Sequence, residues 1–300
     1  MNYRHILLAL LCAFLWGANF AVIKWGLQDI PALAFASLRF GAVALLAFFC
    51  VRPTVPVTAL MRYGIGWGTL QFGGLFLAIH AGMPTGLASV LAQSQAIFTL
   101  LFAALAGHDA LRPFHYLAIL TAFTGITAIA VDQTAPIPPL ALLLSLSGAA
   151  GWAYGNLAIR RFSLAGHRVD TIGFVAWASI IPALTLALLS TIFEDPARLA
   201  QLEPARALRA AVAVLYQAGA ALLFGTLVWN SLLRHYPAPS VAPFSLVVPV
   251  VGLSLGVLLL NETISVLQGI GYSLLLAALA INLLGLRSRL HAQESGERKR

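Results

Sequence analysis

The chain has 300 residues, of which 60% are hydrophobic and only 9% charged, with a formal net charge of +8. A soluble domain carries roughly a quarter charged residues, so a water-facing surface of ordinary size is excluded, and a mean hydropathy of +0.89 makes lipid the solvent for most of the chain. The basic surplus follows membrane topology, as shown below, and gives no reason to expect a nucleic-acid partner.

A helix crossing the hydrocarbon core needs about 20 mostly apolar residues. Ten such runs are predicted, at 6–24, 33–51, 63–82, 85–107, 114–131, 139–160, 171–193, 207–232, 238–260 and 265–286. The first follows a weakly basic Met1–His5 but continues past Trp16 to Lys24, so it reads as a membrane helix and not as a cleaved leader. The second holds Arg39, and the third is glycine-rich from Gly64 to Gly74 and ends at His80. The fourth carries Gln93-Ser94-Gln95 and ends near Asp109; the sixth carries Trp152, Tyr154 and Asn156, with Arg160 and Arg161 after them. Trp177 and Pro182 lie in the seventh, Gln217, Trp229 and Asn230 in the eighth, and Pro243, Ser245 and Pro249 in the ninth, which Glu262 follows. Strands of a membrane barrel are about ten residues long and alternate in polarity; these runs do neither. Cys12 and Cys50 lie inside the first two runs, with neither a disulfide framework nor metal-ligand spacing.

With a cytoplasmic N-terminus, 13 of the 18 Lys and Arg residues fall on the cytoplasmic side, which satisfies the positive-inside rule and puts both termini in the cytoplasm. The chain divides near Asp132–Pro139 into five runs and five runs, and an odd number makes the second half inverted relative to the first. Trp16-Gly17-Ala18-Asn19 then Lys24 is echoed by Trp152-Ala153-Tyr154-Gly155-Asn156 then Arg160-Arg161. Ala88-Ser89-Val90 then Asp109 is echoed by Pro239-Ser240-Val241 then Glu262. The expected architecture is an all-α integral membrane protein of ten transmembrane helices in two inverted five-helix repeats. The repeats are residues 1–134 and 135–290, followed by a basic cytoplasmic tail at 291–300. Acid and base at equivalent positions on opposite faces suit two alternately closing gates, built from Lys24, Asp109, Arg160, Arg161 and Glu262.

Several stretches resemble one family over essentially the full chain. They are Leu15-Trp16-Gly17-Ala18-Asn19-Phe20, Leu38-Arg39-Phe40, Gly82-Met83-Pro84 with Ala92-Gln93-Ser94-Gln95-Ala96, and Ala242-Pro243 with Leu246 to Leu253 and then Glu262. They are similar to the EamA family of the drug/metabolite transporter superfamily. Gln71-Phe72 and Gln93-Ser94-Gln95 are most similar to its bacterial exporters of O-acetylserine and cysteine. The chain departs from the family pattern at His108-Asp109, where Gly-Glu is usual, and at His80, where a neutral polar residue is usual. The resemblance implies a bacterial inner-membrane secondary transporter exporting small polar metabolites by alternating access. Its partners are a small-molecule substrate and the bilayer; a homodimer is left open. Other amino acids, aromatic ones included, amines and drugs are the alternative cargo.

A charge at mid-bilayer is costly and usually faces a cavity or a partner. Arg39 reads either as a structural tie to backbone carbonyls or as a fork for a substrate carboxylate. The remaining pathway candidates are Trp16, Asn19, Gln71, Gln93, Gln95, Tyr154, Asn156, Trp177, Gln217, Asn230 and Ser245, a set suited to a zwitterion. Any one of them also reads as interhelical glue worth about 0.6 kcal/mol. Gln93 and Gln95 are two residues apart, so on a regular helix only one faces the cavity. His80 is a candidate for proton coupling, and Pro243 and Pro249 are candidates for bending the ninth helix. No Walker A pattern is present, and neither a cofactor nor a metal is expected. An intramembrane enzyme is the remote alternative, since no acid or nucleophile dyad falls at membrane depth.

Overall fold

Prolines and local caps set where the helices start. Proline fixes φ and lacks the N–H that a first helical turn leaves unpaired anyway. The computed structural model describes residues 1–106, 112–132, 136–164, 171–195, 202–236 and 238–297, without the side chains at 159–164, 238, 239, 242, 283 and 286–297. Helix α1 (Tyr3–Gly26) is capped by Asn2, whose Oδ1 accepts from the His5 N–H at 2.9 Å. Helix α2 (Ala32–Ala44) follows Pro31 and tightens into a 3-10 turn at Leu45–Phe48. After Pro56 comes α3 (Val57–Tyr63), which widens into a π-helical stretch at Gly64–Leu70 and continues as α4 (Gln71–His80). Gly82, at φ 98°, makes the sharp turn into α5 (Thr85–Ala92), and α6 (Gln95–Leu105) resumes beyond a two-residue break. Helices α7 (Pro113–Ala130), α8 (Pro139–Leu164) and α9 (Thr171–Phe193) follow. Then α10 (Pro204–Leu215) passes through a second π-helical stretch at Tyr216–Phe224 into α11 (Gly225–His235). A short α12 (Ala238–Val241) leads through a 3-10 segment at Ala242–Leu246 into α13 (Val247–Leu260), which Asn261 ends in the left-handed conformation. The last element is α14 (Val266–Glu297).

Six helices among the described residues are long and apolar enough to cross a membrane: Tyr3–Gly26, Thr85–Leu105, Pro113–Ala130, Thr171–Phe193, Pro204–His235 and Pro243–Leu260. Ala32–Phe48 and Val266–Asn282 are shorter apolar helices. No strand occurs among the described residues. The third and tenth predicted runs are longer as helices, reaching back to Val57 and on to Glu297, because a polar end can continue a hydrogen-bond ladder that an apolar window does not register. Pro182 sits inside an unbroken α9 and packs on Gly68.

Large apolar side chains cover much of the exterior, while one charge, Arg39, is buried within. Phe48, Phe49 and Leu105 are 84–87% exposed, while Arg39 is 2% exposed. Lipid is as apolar as these side chains, so helices are held by close packing of small residues and by polar contacts. Helix α7 lies along α14, α2 along α9, and α1 along α13; α3, the first π-helical stretch and α4 lie on α8. Where α7 and α14 cross, a Cβ on either Gly125 or Gly271 would come 2.8 Å from the other's carbonyl oxygen. The π-helical stretch and α4 lie as close to α8: a Cβ on Gly66 would meet Gly151 O at 2.8 Å, and one on Gly74 would meet Leu144 O at 2.6 Å.

Candidate substrate cavity

At one end of the bundle, carboxylates sit on helix N-termini. An N-terminus presents unpaired N–H groups and the positive end of the helix dipole, which together favour an anion. Glu262, just beyond α13, accepts from Thr85 N at 2.7 Å, Thr85 Oγ1 at 3.0 Å and Gly86 N at 3.0 Å at the start of α5. Lys24 Nζ, from α1, reaches the same carboxylate at 3.0 Å. Burial alone would raise the Glu262 carboxyl; the Gly86 and Thr85 N–H groups and Lys24 outweigh it and hold the carboxyl below its ordinary value. Glu194, just beyond α9, accepts from Leu33 N at 2.8 Å and Ala34 N at 3.0 Å at the start of α2. Arg209 of α10 pairs with Asp29 through Nε at 2.5 Å and Nη2 at 2.6 Å. Asp132 accepts from Ser265 Oγ, whose oxygen in turn accepts from Gln268 N at the start of α14.

Away from this clamped end lies a cavity of about 710 Å³, within the range of small-molecule sites. It runs from mid-helix, at Trp16, Asn19, Arg39, Gln71 and Asn156, to the helix ends that carry Tyr63, Thr171, Leu233 and Arg234. Trp16, Tyr63, Trp67, Phe72, Trp152, Phe174 and Trp229 form its aromatic walls. Asn19, Arg39, Gln71, Gln93, Gln95, Ser145, Asn156, Thr226, Asn230, Arg234 and Ser245 are among its polar groups, and no Asp or Glu among the described residues lines it.

The break in the fourth run shapes one wall. Helix α5 ends at Ala92 and α6 restarts at Gln95, so Gln93 and Gln95 both line the cavity, contrary to the regular-helix expectation. Gln93 Nε2 donates to Ser245 O at 3.4 Å across the cavity wall, in the 3-10 segment that interrupts the ninth run. Gln95 Oε1 accepts from Asn156 Nδ2 at 3.0 Å. Pro243 opens that 3-10 segment and is exposed, whereas Pro249 is buried in the first turn of α13, where its missing N–H costs little.

Around Arg39 the contacts are unusual. Nη1 donates to Gln217 Oε1 at 2.9 Å, and the guanidinium carbon lies 3.8 Å from the centre of the Phe72 ring. Gln217 Nε2 donates to Asn19 O at 3.3 Å, so Gln217 sits behind Arg39 and joins α2 to α1. Arg39 bonds a side-chain amide, not the backbone carbonyls that a structural tie would use.

Three pathway candidates lie off the cavity, Gln217 behind Arg39 among them. Tyr154 is 41% exposed and packs beside Gly66, since it is two residues from both Trp152 and Asn156 and points away from their shared face. Trp177 donates to Cys50 O at 3.2 Å and ties α9 to the end of the second run. His80 is exposed at the end of α4 and does not line the cavity. Asp109 lies outside the described residues, as do the side chains of Arg160 and Arg161. The sequence reading left out Tyr63, Phe72, Phe174, Thr171, Thr226 and Arg234. Tyr63, Trp67, Gln71 and Leu75 recur every four residues along one helix, a spacing that marks a single face.

An all-helical protein with apolar membrane-length helices and a polar cavity within the bundle is a multi-pass membrane protein of the transporter kind. The chain matches the EamA-like transporter family over residues 4–131 and again over 139–284, and it belongs to that family. It is 38% identical to a Salmonella typhimurium protein named "Probable amino-acid metabolite efflux pump", over 99% of this chain and 100% of that one. It is 36% identical to an Escherichia coli K12 protein of the same name, over 96% of this chain and 98% of the relative. The inner membrane transporter YedA of the same strain is 27% identical over 90% of this chain and 88% of its own length. A solved crystal structure shares the fold, with TM-score 0.59 and 21% identity over 97% of this chain and 99% of that one.

Proposed function

We propose that this protein is a secondary transporter that exports small polar metabolites from the bacterial cytoplasm across the inner membrane. Amino acids are the cargo class, and O-acetylserine and cysteine are the first compounds to test. The observation that carries the reading is the cavity of about 710 Å³, lined by polar and aromatic groups and open away from the end of the bundle that Lys24, Glu262 and Thr85 clamp. A transporter of this kind exposes one cavity alternately to each side. On the positive-inside assignment the clamp is the closed outer gate and the cavity faces the cytoplasm, ready to load. The efflux names of the two relatives above 35% identity support the direction and the cargo class.

The moving parts are two inverted five-helix repeats, 1–134 and 135–290, giving ten membrane crossings with both termini in the cytoplasm. Three observations support this division. The family matches twice, once in each half. The packing is also symmetric: α2 on α9 and α7 on α14 pair equivalent runs, and the third run on the sixth is answered by the eighth on the first. The two π-helical stretches, Gly64–Leu70 and Tyr216–Phe224, lie in equivalent runs. Lys24, Glu262, Pro243 and Pro249 serve one gate; Asp109, Arg160 and Arg161 are the equivalent charges for the other.

The test is efflux from cells overproducing O-acetylserine and cysteine, measured against vector and against Gln93→Ala. Raised export that the substitution lowers at least severalfold is expected. No rise in either compound, with the protein verified in the membrane, rejects the cysteine-pathway cargo. A second reading, aromatic amino acids, is favoured by the aromatic walls, and the same assay with a phenylalanine or tryptophan overproducer discriminates it.

A further inference from the structure

Buried side-chain polar atoms without a hydrogen bond are rare in folded proteins and call for an explanation. Three of those in the described residues belong to side chains that line this one cavity: Arg39 Nε, Asn19 Oδ1 and Gln71 Oε1. Gln217 accepts from Arg39 Nη1, and among the described residues neither Nε nor Nη2 has a hydrogen-bond acceptor, so that edge carries no described partner. That edge is one a carboxylate occupies in a two-pronged pair. A guanidinium stays charged in proteins, yet no described acid pairs with Arg39, and no described acid lines the cavity.

The unpartnered set has a definite complement. It offers one donor edge bearing a positive charge and two neutral acceptors. Gln217 ties Arg39 to the Asn19 backbone, Phe72 lies against the guanidinium, and Asn19, Arg39 and Gln71 all line the same cavity. We propose that this corner of the cavity is a head-group subsite for a free α-amino acid: the Nε–Nη2 edge of Arg39 takes the α-carboxylate, and Asn19 Oδ1 with Gln71 Oε1 takes the α-ammonium. Phe72 fixes the guanidinium plane from the opposite side. The side chain of the cargo then lies toward the wall formed by Gln93, Gln95 and Asn156, where selectivity among amino acids is set. The inference rests on the export reading and sharpens it to a backbone-recognising carrier.

The test uses the purified full-length protein in liposomes, with counterflow of labelled L-cysteine and, separately, L-phenylalanine. Each is competed by the unlabelled amino acid, its carboxamide and its N-acetyl derivative. Losing a charge-assisted pair of this kind costs roughly a tenfold to hundredfold weakening. Both capped forms are expected to compete at least about tenfold less well than the free amino acid, and Arg39→Gln is expected to bring the acid-to-carboxamide ratio near one. Arg39→Lys, which keeps the charge and loses the fork, is expected to fall between. If Arg39→Gln is not recovered folded, the wild-type ratios decide. A carboxamide that competes as well as the acid, with counterflow intact, overturns the Arg39 assignment and leaves the exporter standing. An equally effective N-acetyl form overturns the ammonium half. No counterflow of either amino acid overturns the subsite together with the amino-acid cargo it rests on.

Discussion

The first run against the eighth and the third run against the sixth, equivalent contacts if the proposed inverted repeat holds, are built differently. Four side-chain hydrogen bonds lace α1 to the chain around Tyr216–Phe224. Trp16 Nε1 donates to Ala221 O at 2.8 Å and Cys12 Sγ to Gly225 O at 3.2 Å; Tyr216 Oη donates to Leu15 O at 2.8 Å and Gln217 Nε2 to Asn19 O at 3.3 Å. A π-helical stretch leaves carbonyls imperfectly used, and Trp16 takes one of them. Around Gly64–Leu70 the same widening is met by close packing at glycines. Gly66, Gly74, Gly148, Gly151 and Gly155 let α8 approach, and no side-chain hydrogen bond crosses between described residues of these two runs. A laced contact resists sliding, while a smooth one permits it. Under the proposed alternating access, α1 with α10 and α11 would be the rigid seam, and α3 and α4 with α8 the sliding one.

Filling the smooth seam should do the most damage. Gly74→Leu or Gly66→Val meets backbone atoms that cannot give way, and overpacking costs about 1–3 kcal/mol or more. The expected outcome is loss of monodisperse protein in detergent or a clear fall in Tm, whereas Gly219→Ala, with open space around it, should leave both unchanged. Next comes the clamp. Glu262→Gln keeps the shape but removes the charge that four donors share, at about 1.5–3 kcal/mol for hydrogen bonds to a charged group. It should raise the labelling, from the clamped side, of a cysteine placed at Leu87, which is buried in the small pocket beside Glu262. Lys24→Met should do less, about 0.2–1 kcal/mol, because Lys24 is 39% exposed.

The pH dependence has a defined sign. The Glu262 carboxyl is depressed in the folded protein, so its contribution is complete above the ordinary carboxylate value and is lost as pH falls through the depressed one. Labelling of that cysteine, normalised at each pH to a fully exposed cysteine because only the thiolate reacts, should therefore be flat from about pH 8 to pH 5 and rise only below the ordinary carboxylate range of about 4.3. A change near neutrality would show that another group controls the clamp. Within the laced seam the effects are smaller. Trp16→Phe removes one hydrogen bond, about 1 kcal/mol, and Cys12→Ala, losing a weak donor, should move Tm least. If Trp16→Phe proved worse than Gly74→Leu, the assignment of rigid and sliding seams would be reversed.

Helix positions were legible in the sequence because lipid leaves a long apolar record. The widened and broken turns were not. Gln93-Ser94 contains neither Pro nor Gly, so nothing local signals the break that turns both glutamines onto the cavity. The π-helical stretches depend on what packs against them. Among site candidates, Asn19, Arg39, Gln71, Asn156 and Asn230 stand out as polar groups in apolar runs, and all line the cavity. Tyr154 was grouped with Trp152 and Asn156 by proximity along the chain, although a two-residue step turns a helix face by more than half a circle. The role of Glu194 went unread because a loop carboxylate carries no mark of the helix end it caps.

Of the six tryptophans, Trp16, Trp67, Trp152 and Trp229 border the cavity, while Trp25 and Trp177 stand apart from it. The protein thus carries its own optical probe, because cargo entering the cavity replaces water beside four indoles at once. A blue shift of the emission on adding an unlabelled amino acid would report loading without any introduced label. An indole contact with a quenching cargo would instead report it as a loss of intensity.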